Sequence, residues 1–354
     1  MAAQGSRVGA GAASVPAPAQ AVLRVRAAVR ELLADAARGG LLDSGAIGVA
    51  VSGGADSLAL AEAAAYTATQ RGIDAHALVV DHGLQDGSAE VANQAAAAAR
   101  ALGVRSARVI PVEVSGGGGM EAAARRARYA VLAEALPDSL VLLGHTRDDQ
   151  AETVLLGLGR GSGPRSVAGM RPLDPPWARP LLGVPREITV RACAELALSP
   201  WQDPHNADPR FTRARLRGEV LPLLEDVLQG GVAAALARTA AQLREDADAL
   251  DELAAELLTR ATCGDLSTYT PPELEVATLV EAPAALRRRA ARRWLLDAGA
   301  RNLTDAHLRA VDDLVGRWRG QGGVWLGGDL VVSRAHGKLR VCREGSARAE
   351  PSEE

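Results

Sequence analysis

Three stretches of this 354-residue chain have the residue types and spacing to do chemistry. The first is Ser52-Gly53-Gly54-Ala55-Asp56-Ser57. Adjacent glycines let backbone N–H groups come close to a phosphate with no Cβ in the way. Ser52 and Ser57 add hydroxyl donors, and Asp56 offers a carboxylate to a magnesium ion or a bound amine. No Gly-Lys-Ser/Thr follows, so the Walker phosphate loop is excluded. The second stretch is His145-Thr146-Arg147-Asp148-Asp149-Gln150-Ala151-Glu152-Thr153. Asp149 and Glu152 are three apart at a helix start, so both carboxylates point the same way. Acids in a first turn also suit the helix dipole. His145 and so many ionisable or amide groups together exceed what capping needs. Such carboxylates can bind Mg²⁺ or grip the ammonium of an amine substrate. Arg160, one helix later, is placed to meet a phosphate. The third stretch is Trp201–Arg217. Pro204 and Pro209 forbid a continuous helix, so Trp201, Asp203, Asn206 and Asp208 make a loop. Arg210, Arg213, Arg215 and Arg217 then crowd together. Arginines beside Trp201 and Phe211 can hold phosphates and stack on splayed bases; the plain alternative is a capped helix with a solvated basic face.

The elements around these stretches must put them in one place. Ala46–Val51 is a short run of small and β-branched apolar residues, as in a buried parallel strand. A helix begins near Asp56 and runs to about Arg71. Before the strand, Val22, Val25, Val29, Leu32 and Leu33 recur at helical spacing over Gln20–Arg38. A second strand, Ala75–Val80, ends in Asp81-His82-Gly83-Leu84. In an open parallel sheet, ligands sit beyond the carboxyl ends of the strands, which places Asp81 and His82 at a nucleotide. The competing reading is a turn in which Asp81 caps the next helix. Ser88–Leu102 reads as helix, Ser106–Pro111 as a third strand and Ser115–Gly119 as a glycine hinge. In the helix that follows, Glu121, Arg125 and Arg128 share one face. They form either a surface ion-pair row or a pair of arginines aimed at RNA or phosphate. Ser139–Leu143 is the fourth strand, and it delivers His145–Thr153.

The C-terminal third has a different pattern. Residues 218–260 read as acidic helix, which should face away from RNA. Pro271–Leu296 gives further helix, with Arg287, Arg288, Arg289, Arg292 and Arg293 and no acid between Ala282 and Leu296. Thr304–Trp318 is another helix, and Gly323–Arg343 alternates as strands with glycine turns.

Composition sets bounds. The length suggests about two domains. Hydrophobic residues reach 47% but aromatics only 3%, so alanine, leucine and valine must build the core. The net charge is −3, so a nucleic-acid partner must be met by local basic patches. Cys193, Cys263 and Cys342 are far apart, which argues against a local disulfide, zinc or iron–sulfur motif. No apolar run approaches the roughly 20 residues of a membrane span. Residues 1–20 lack a signal-peptide core and read as a disordered tail.

The first stretch resembles the SGGxDS loop of the N-type ATP pyrophosphatases, which split ATP between the α- and β-phosphates. Taken in order, SGGADS, DHGL, GHTRDDQAET, LGRGSGPRSVAGM, Arg179-Pro180-Leu181-Leu182 and WQDPHNADPRFTRARLR resemble the tRNA(Ile)-lysidine synthase family over roughly residues 22–217. One departure is that relatives commonly carry Arg-Asn-Arg where this chain has Arg213-Ala214-Arg215. That puts the role of the middle side chain in doubt, not that of the arginines.

The resemblance implies a Rossmann-like α/β fold: a doubly wound, mostly parallel sheet over residues 21–217. Beyond it, the pattern of helices and strands reads as a second, smaller, mainly helical α+β domain over 218–345 that would position the tRNA, with a disordered tail over 346–354. The resemblance implies ATP and Mg²⁺ as cofactors, and free L-lysine and the CAU-anticodon isoleucine tRNA as partners. ATP would adenylate the C2 carbonyl of the wobble cytidine, and the lysine ε-amine would then displace AMP. Asp56, Asp149 and Glu152 would hold lysine, with His145 beside them. Ser52 to Ser57, Asp81, His82 and Arg160 would hold the nucleotide, and Asp56 or Asp149 the metal. Arg125, Arg128, Trp201, Arg210, Arg213, Arg215, Arg287 and Arg288 would meet RNA. The expected location is cytoplasmic, and a homodimer is left open. A tRNA thiolase or amide-forming ligase on the same fold is the alternative, and a non-catalytic ATP-binding module a third. A thiolase would want paired or catalytic cysteines, and those here are isolated.

Overall fold

The computed structural model of the chain describes residues 19–83, 87–113, 120–161, 163–203, 208–263 and 271–343. The glycine hinge, Leu84, Pro204, Asn206 and the two tails (1–18 and 344–354) lie outside these residues. Two compact units divide at Ala241/Gln242.

The first unit holds α1 (Gln20–Arg38), β1 (Ala46–Ala50), α2 (Ala55–Arg71), β2 (Asp74–Asp81), α3 (Ser88–Ala101), β3 (Ser106–Pro111), α4 (Met120–Ala135), β4 (Leu140–Leu142), α5 (Arg147–Gly159), α6 (Pro164–Val167), β5 (Leu173–Asp174), β6 (Trp177–Ala178), α7 (Arg186–Glu195), α8 (Thr212–Arg215), a π-helical turn (Leu216–Val220), α9 (Leu221–Val227) and the start of α10 (Val232–Ala261). Its sheet has the order β3-β2-β1-β4-β6-β5. All pairs are parallel except β5 with β6, an edge hairpin. β1 therefore lies between β2 and β4, and the order of winding reverses between β1 and β4. Loops leaving the carboxyl ends of strands diverge at such a reversal and leave a crevice for a ligand. The first chemical stretch follows β1 and the second follows β4, so both open into that crevice.

Apolar spacing accounts for the layers. Val22, Val25, Val29, Leu32 and Leu33 of α1 are buried, as the spacing requires. In α2, Leu58 to Ala65 are all buried, and alanines at 59, 61, 63, 64 and 65 let neighbouring elements pack closely where aromatics are scarce. Ile47 and Val49 of β1 are fully buried, at about 1.5–3 kcal/mol per side chain.

The second unit starts within α10 and adds β7 (Thr262–Cys263), β8 (Glu273–Glu275), α11 (Val276–Val280), α12 (Ala284–Asp297), α13 (Asp305–Gly316), β9 (Val324–Leu326), β10 (Leu330–Ala335) and β11 (Lys338–Arg343). Its antiparallel sheet, β7-β8-β11-β10-β9, buries Leu274, Leu330, Val332, Leu339 and Val341 among residues of α12 and α13.

Two features differ from the sequence reading. The helix expected over Pro271–Leu296 is a strand, a short helix and a longer helix, because the pair Pro271-Pro272 and then Pro283 interrupt it. The division lies at Ala241/Gln242 rather than at 217/218, because Leu221, Ala233 and Leu236 pack with Ala151 and Leu155 of α5.

Candidate active site

The phosphate loop sits at the end of β1. Gly53 has φ +83°, a left-handed conformation that glycine adopts without strain. Gly54 caps α2, and the first N–H groups of that helix have no intrahelical acceptor. The two serines shape the loop. Ser57 Oγ accepts from the Ser52 N–H at 3.1 Å and donates to Gly54 O at 2.9 Å. The Trp201 N–H donates to Gly53 O at 3.0 Å, which ties the third stretch to the loop. Gly144, after β4, lies where a Cβ would stand 3.3 Å from the backbone of Asp56 and Ser57. The absence of that Cβ lets the second stretch approach the first.

Beside the loop, carboxylates and guanidiniums alternate in a chain. Arg186 Nε donates to Asp56 Oδ2 at 3.1 Å, and its Nη2 to Asp149 Oδ1 at 2.8 Å. Arg217 Nη2 reaches the same Asp149 oxygen at 3.3 Å, while its Nε donates to Glu152 Oε1 at 2.8 Å. Arg213 Nη1 ends the chain on Glu152 Oε2 at 3.4 Å. Thr189 donates its hydroxyl to Asp56 Oδ1. Thr146 gives Asp149 Oδ2 a backbone bond at 2.7 Å and a hydroxyl bond at 2.8 Å.

The environments separate the three acids. Burial pushes Asp56 and Glu152 above the usual carboxylate range, against the pull of Arg186 and Arg217 respectively. Burial also acts on Asp149, but Arg186, the Thr146 bonds and His145 outweigh it and hold this carboxyl below its ordinary value.

A positive region faces this chain. Arg125 Nη2 donates to Tyr129 Oη at 3.1 Å, and Arg125 and Arg128 lie 4.9 and 5.7 Å from the Tyr129 ring centre. Tyr129 packs edge-on to Trp177, with ring centres 4.6 Å apart. Arg128 has no hydrogen-bond or ion-pair partner among the described residues. Nδ1 of both His82 and His145 is buried without one. Burial, with Arg128 nearby, lowers the His82 pKa. Burial lowers that of His145 to about 3, so its imidazole is neutral near pH 7. Buried donors and cations without partners are what an anionic ligand would satisfy.

Not every expected residue joins the site. Asp81 accepts from the Gly83 N–H at 3.0 Å, as a turn would have it. Arg160 caps the far end of α5, roughly 17 Å along the axis from Asp149 at 1.5 Å per residue. The four crowded arginines split by helical periodicity. Arg213 and Arg217 turn inward, while Arg210 pairs with Asp208 at 2.6 Å and Arg215 with Glu219 at 2.9 Å. Arg287 is committed to Asp312 at 2.7 Å and to Ala282 O at 2.9 Å, largely buried. Arg288 has no such partner among the described residues and lines a polar cleft of about 220 Å³ with Arg309 and Arg317. Sequence spacing points to neither Arg186 nor Thr189, and gives Thr146 only as part of the second stretch and Arg217 only as part of the basic run. A cation in the first turn of α7 opposes the helix dipole, and that was the available signal for Arg186.

Among the described residues, no three His, Cys, Asp or Glu side chains converge on a metal position. Mg²⁺ commonly takes one or two carboxylates and completes its shell with substrate phosphates and water. Asp56, beside the loop, fits that role.

An open α/β sheet with this glycine loop at its switch point defines an ATP-using PP-loop enzyme. The PP-loop domain model matches residues 23–224, and the TilS substrate binding domain model matches residues 274–340. The U34-tRNA thiolase NcsA from Methanococcus maripaludis shares the fold at 18% identity, with a TM-score of 0.50 over 64% of this chain and 80% of that one. The tRNA(Ile)-lysidine synthase of Nocardia farcinica is 58% identical over 92% of this chain and 99% of its own length. That of Rhodococcus erythropolis is 59% identical over 82% and 88%, and that of Mycobacterium tuberculosis 58% identical over 84% and 90%. The chain belongs to the tRNA(Ile)-lysidine synthase family.

Proposed function

We propose that this chain is a cytoplasmic enzyme that joins free L-lysine to the wobble cytidine of the CAU-anticodon isoleucine tRNA, at the expense of ATP. The observation that carries this reading is the chain Asp56–Arg186–Asp149–Arg217–Glu152–Arg213 beside a glycine phosphate loop.

A pyrimidine carbonyl is a poor electrophile, so the oxygen must first become part of a leaving group. The C2 oxygen attacks the α-phosphorus of ATP; the bond to the β-phosphate oxygen breaks and pyrophosphate leaves. The loop N–H groups hold the phosphates, and Arg128 with the neutral His145 offers donors to the charged oxygens. Mg²⁺, held through Asp56, would neutralise phosphate charge. The lysine ε-amine then attacks C2, the C2–O bond breaks and AMP leaves. The amine must lose a proton to attack, and Asp149 and Glu152 are the carboxylates placed to bind it and take that proton.

The test is incubation with labelled lysine, ATP and the unmodified tRNA. Label should enter the tRNA only with ATP, with AMP and pyrophosphate formed. Release of ADP and phosphate in their place would sink the adenylation mechanism.

A further inference from the structure

Asp56 and Asp149 come from different elements. Asp56 is in the first turn of α2, beside the phosphate loop, and Asp149 is in the first turn of α5. The β1–β4 pairing brings these turns together, but each carboxylate still rotates on its own side-chain torsions. They also repel, and the charge of Asp149 is one of the causes that raise the Asp56 pKa.

Arg186 closes the gap. A single guanidinium spans both carboxylates, at 3.1 Å to Asp56 and 2.8 Å to Asp149. Its own backbone is anchored, because the Arg186 N–H donates to Asp148 Oδ2 at 2.9 Å and the Arg147 N–H to Val184 O at 2.9 Å. The starts of α5 and α7 are thus tied in both directions. Thr189, one turn further along α7, holds the other oxygen of Asp56. One turn of α7 therefore holds Asp56 and adds to the hold that Thr146 and Arg217 have on Asp149.

Helix stability does not explain this arginine. It occupies the first position of α7, where a cation meets the positive end of the dipole. Surface pairing does not explain it either, since the side chain is only 24% exposed and its fork faces two carboxylates. Arg213 and Arg217 do not duplicate it: Arg217 is held at 2.8 Å to Glu152 Oε1 and reaches Asp149 Oδ1 only at 3.3 Å, and Arg213 reaches Glu152 Oε2 at 3.4 Å.

We infer that Arg186 is a positioning residue for the amine-transfer half of the reaction. It fixes Asp149, which receives the lysine amine, relative to Asp56 at the phosphate loop, so that lysine is received beside the point where the loop presents the activated base. The inference rests on the lysidine-forming reading above. Arg186 acts through the carboxylates and takes no proton itself. Without it Asp149 loses a charged partner and lysine capture weakens, while Asp56 keeps its Thr189 bond and adenylation still has the loop. The activated base then meets water: water attacks C2, the C2–O bond to AMP breaks, two protons leave and the carbonyl is restored. ATP is spent with no lysidine made.

The experiment compares Arg186→Gln and Arg186→Lys with the wild type. Pyrophosphate released and labelled lysine incorporated are measured in the same reaction, with ATP, the unmodified tRNA transcript and varied lysine. The wild type should release one pyrophosphate per lysine incorporated. Arg186→Gln should exceed that ratio at low lysine and approach it again at high lysine. Its KM for lysine should rise about 10- to 100-fold, the scale of a lost charge-assisted bond. Arg186→Lys, which spans one carboxylate at a time, should fall between. A merely structural role would slow both products together, with the ratio at one and KM for lysine unchanged, and that result overturns the inference. If Arg186→Gln does not fold, the ratio and KM of Arg186→Lys decide in the same way. A wild type that incorporates no lysine would instead refute the functional reading itself.

Discussion

Glu152 is fully buried, and burial raises its pKa against the opposing pull of Arg217. Glu152→Gln keeps the shape and removes the charge. It should raise KM for lysine in steady-state assays; unchanged KM and turnover would end its assignment to the ammonium. Asp56→Asn and Asp149→Asn should each cut turnover by at least about 10²-fold, the scale of a lost acid–base or electrostatic group. His145 makes a pH prediction. Its folded pKa of about 3 lies below the unfolded value of 6.5, so the unfolded chain binds more protons between those values. The stability it contributes is fully present above pH 6.5 and is lost as pH falls toward 3. Thermal melts from pH 8 to 5 should therefore show a smaller loss of Tm for His145→Gln than for the wild type. The acids of the site were legible because strand ends and a three-residue spacing place them without tertiary knowledge. Arg186 was not, because it meets Asp149 across 37 residues of sequence, a contact that no local period reports.

The strands around the crevice were legible as short β-branched or small apolar runs between turns, and β3 has the bounds the sequence suggests. The β5–β6 hairpin was not, because two-residue strands carry no period. In α12 the basic run hid two kinds of arginine. Arg287 joins α12 to α13 through a buried pair with Asp312, whereas Arg289 and Arg293 pair with Asp251 and Asp297. Arg287→Ala should cost about 3–5 kcal/mol in denaturant melts, since it leaves a buried aspartate unpaired. Arg288→Ala should leave the melt unchanged and lower the salt slope of tRNA affinity by up to about 1, one phosphate contact. An unchanged slope would make Arg288 a solvated side chain. Close approach of α5 and α6 sets another limit. A Cβ on Gly157 would stand 2.2 Å from Ser166 O, so Gly157→Ala should destabilise the fold by roughly 1–3 kcal/mol, read by the same melts.

At the scale of the molecule, a net charge of −3 gives RNA no general attraction, and binding must depend on where arginines lack acidic partners. Arg125 and Arg128 in the first unit and Arg288 in the second meet that condition among the described residues. The division at residue 241 was hidden because the acidic helical pattern runs unbroken through it, while the packing that decides it lies between α5, α9 and α10. Among the described residues, no single helix is long and apolar enough to cross a membrane. The bond from Trp201 to Gly53 has an optical consequence. Trp201, one of the chain's five tryptophans, is tied to the phosphate loop through its backbone and is 37% exposed, so its emission should respond to what the loop holds. Adding ATP without tRNA or lysine should shift or quench tryptophan fluorescence in the wild type and leave Trp201→Phe nearly silent. The molecule thus carries its own dye for nucleotide arrival, readable before any chemistry begins.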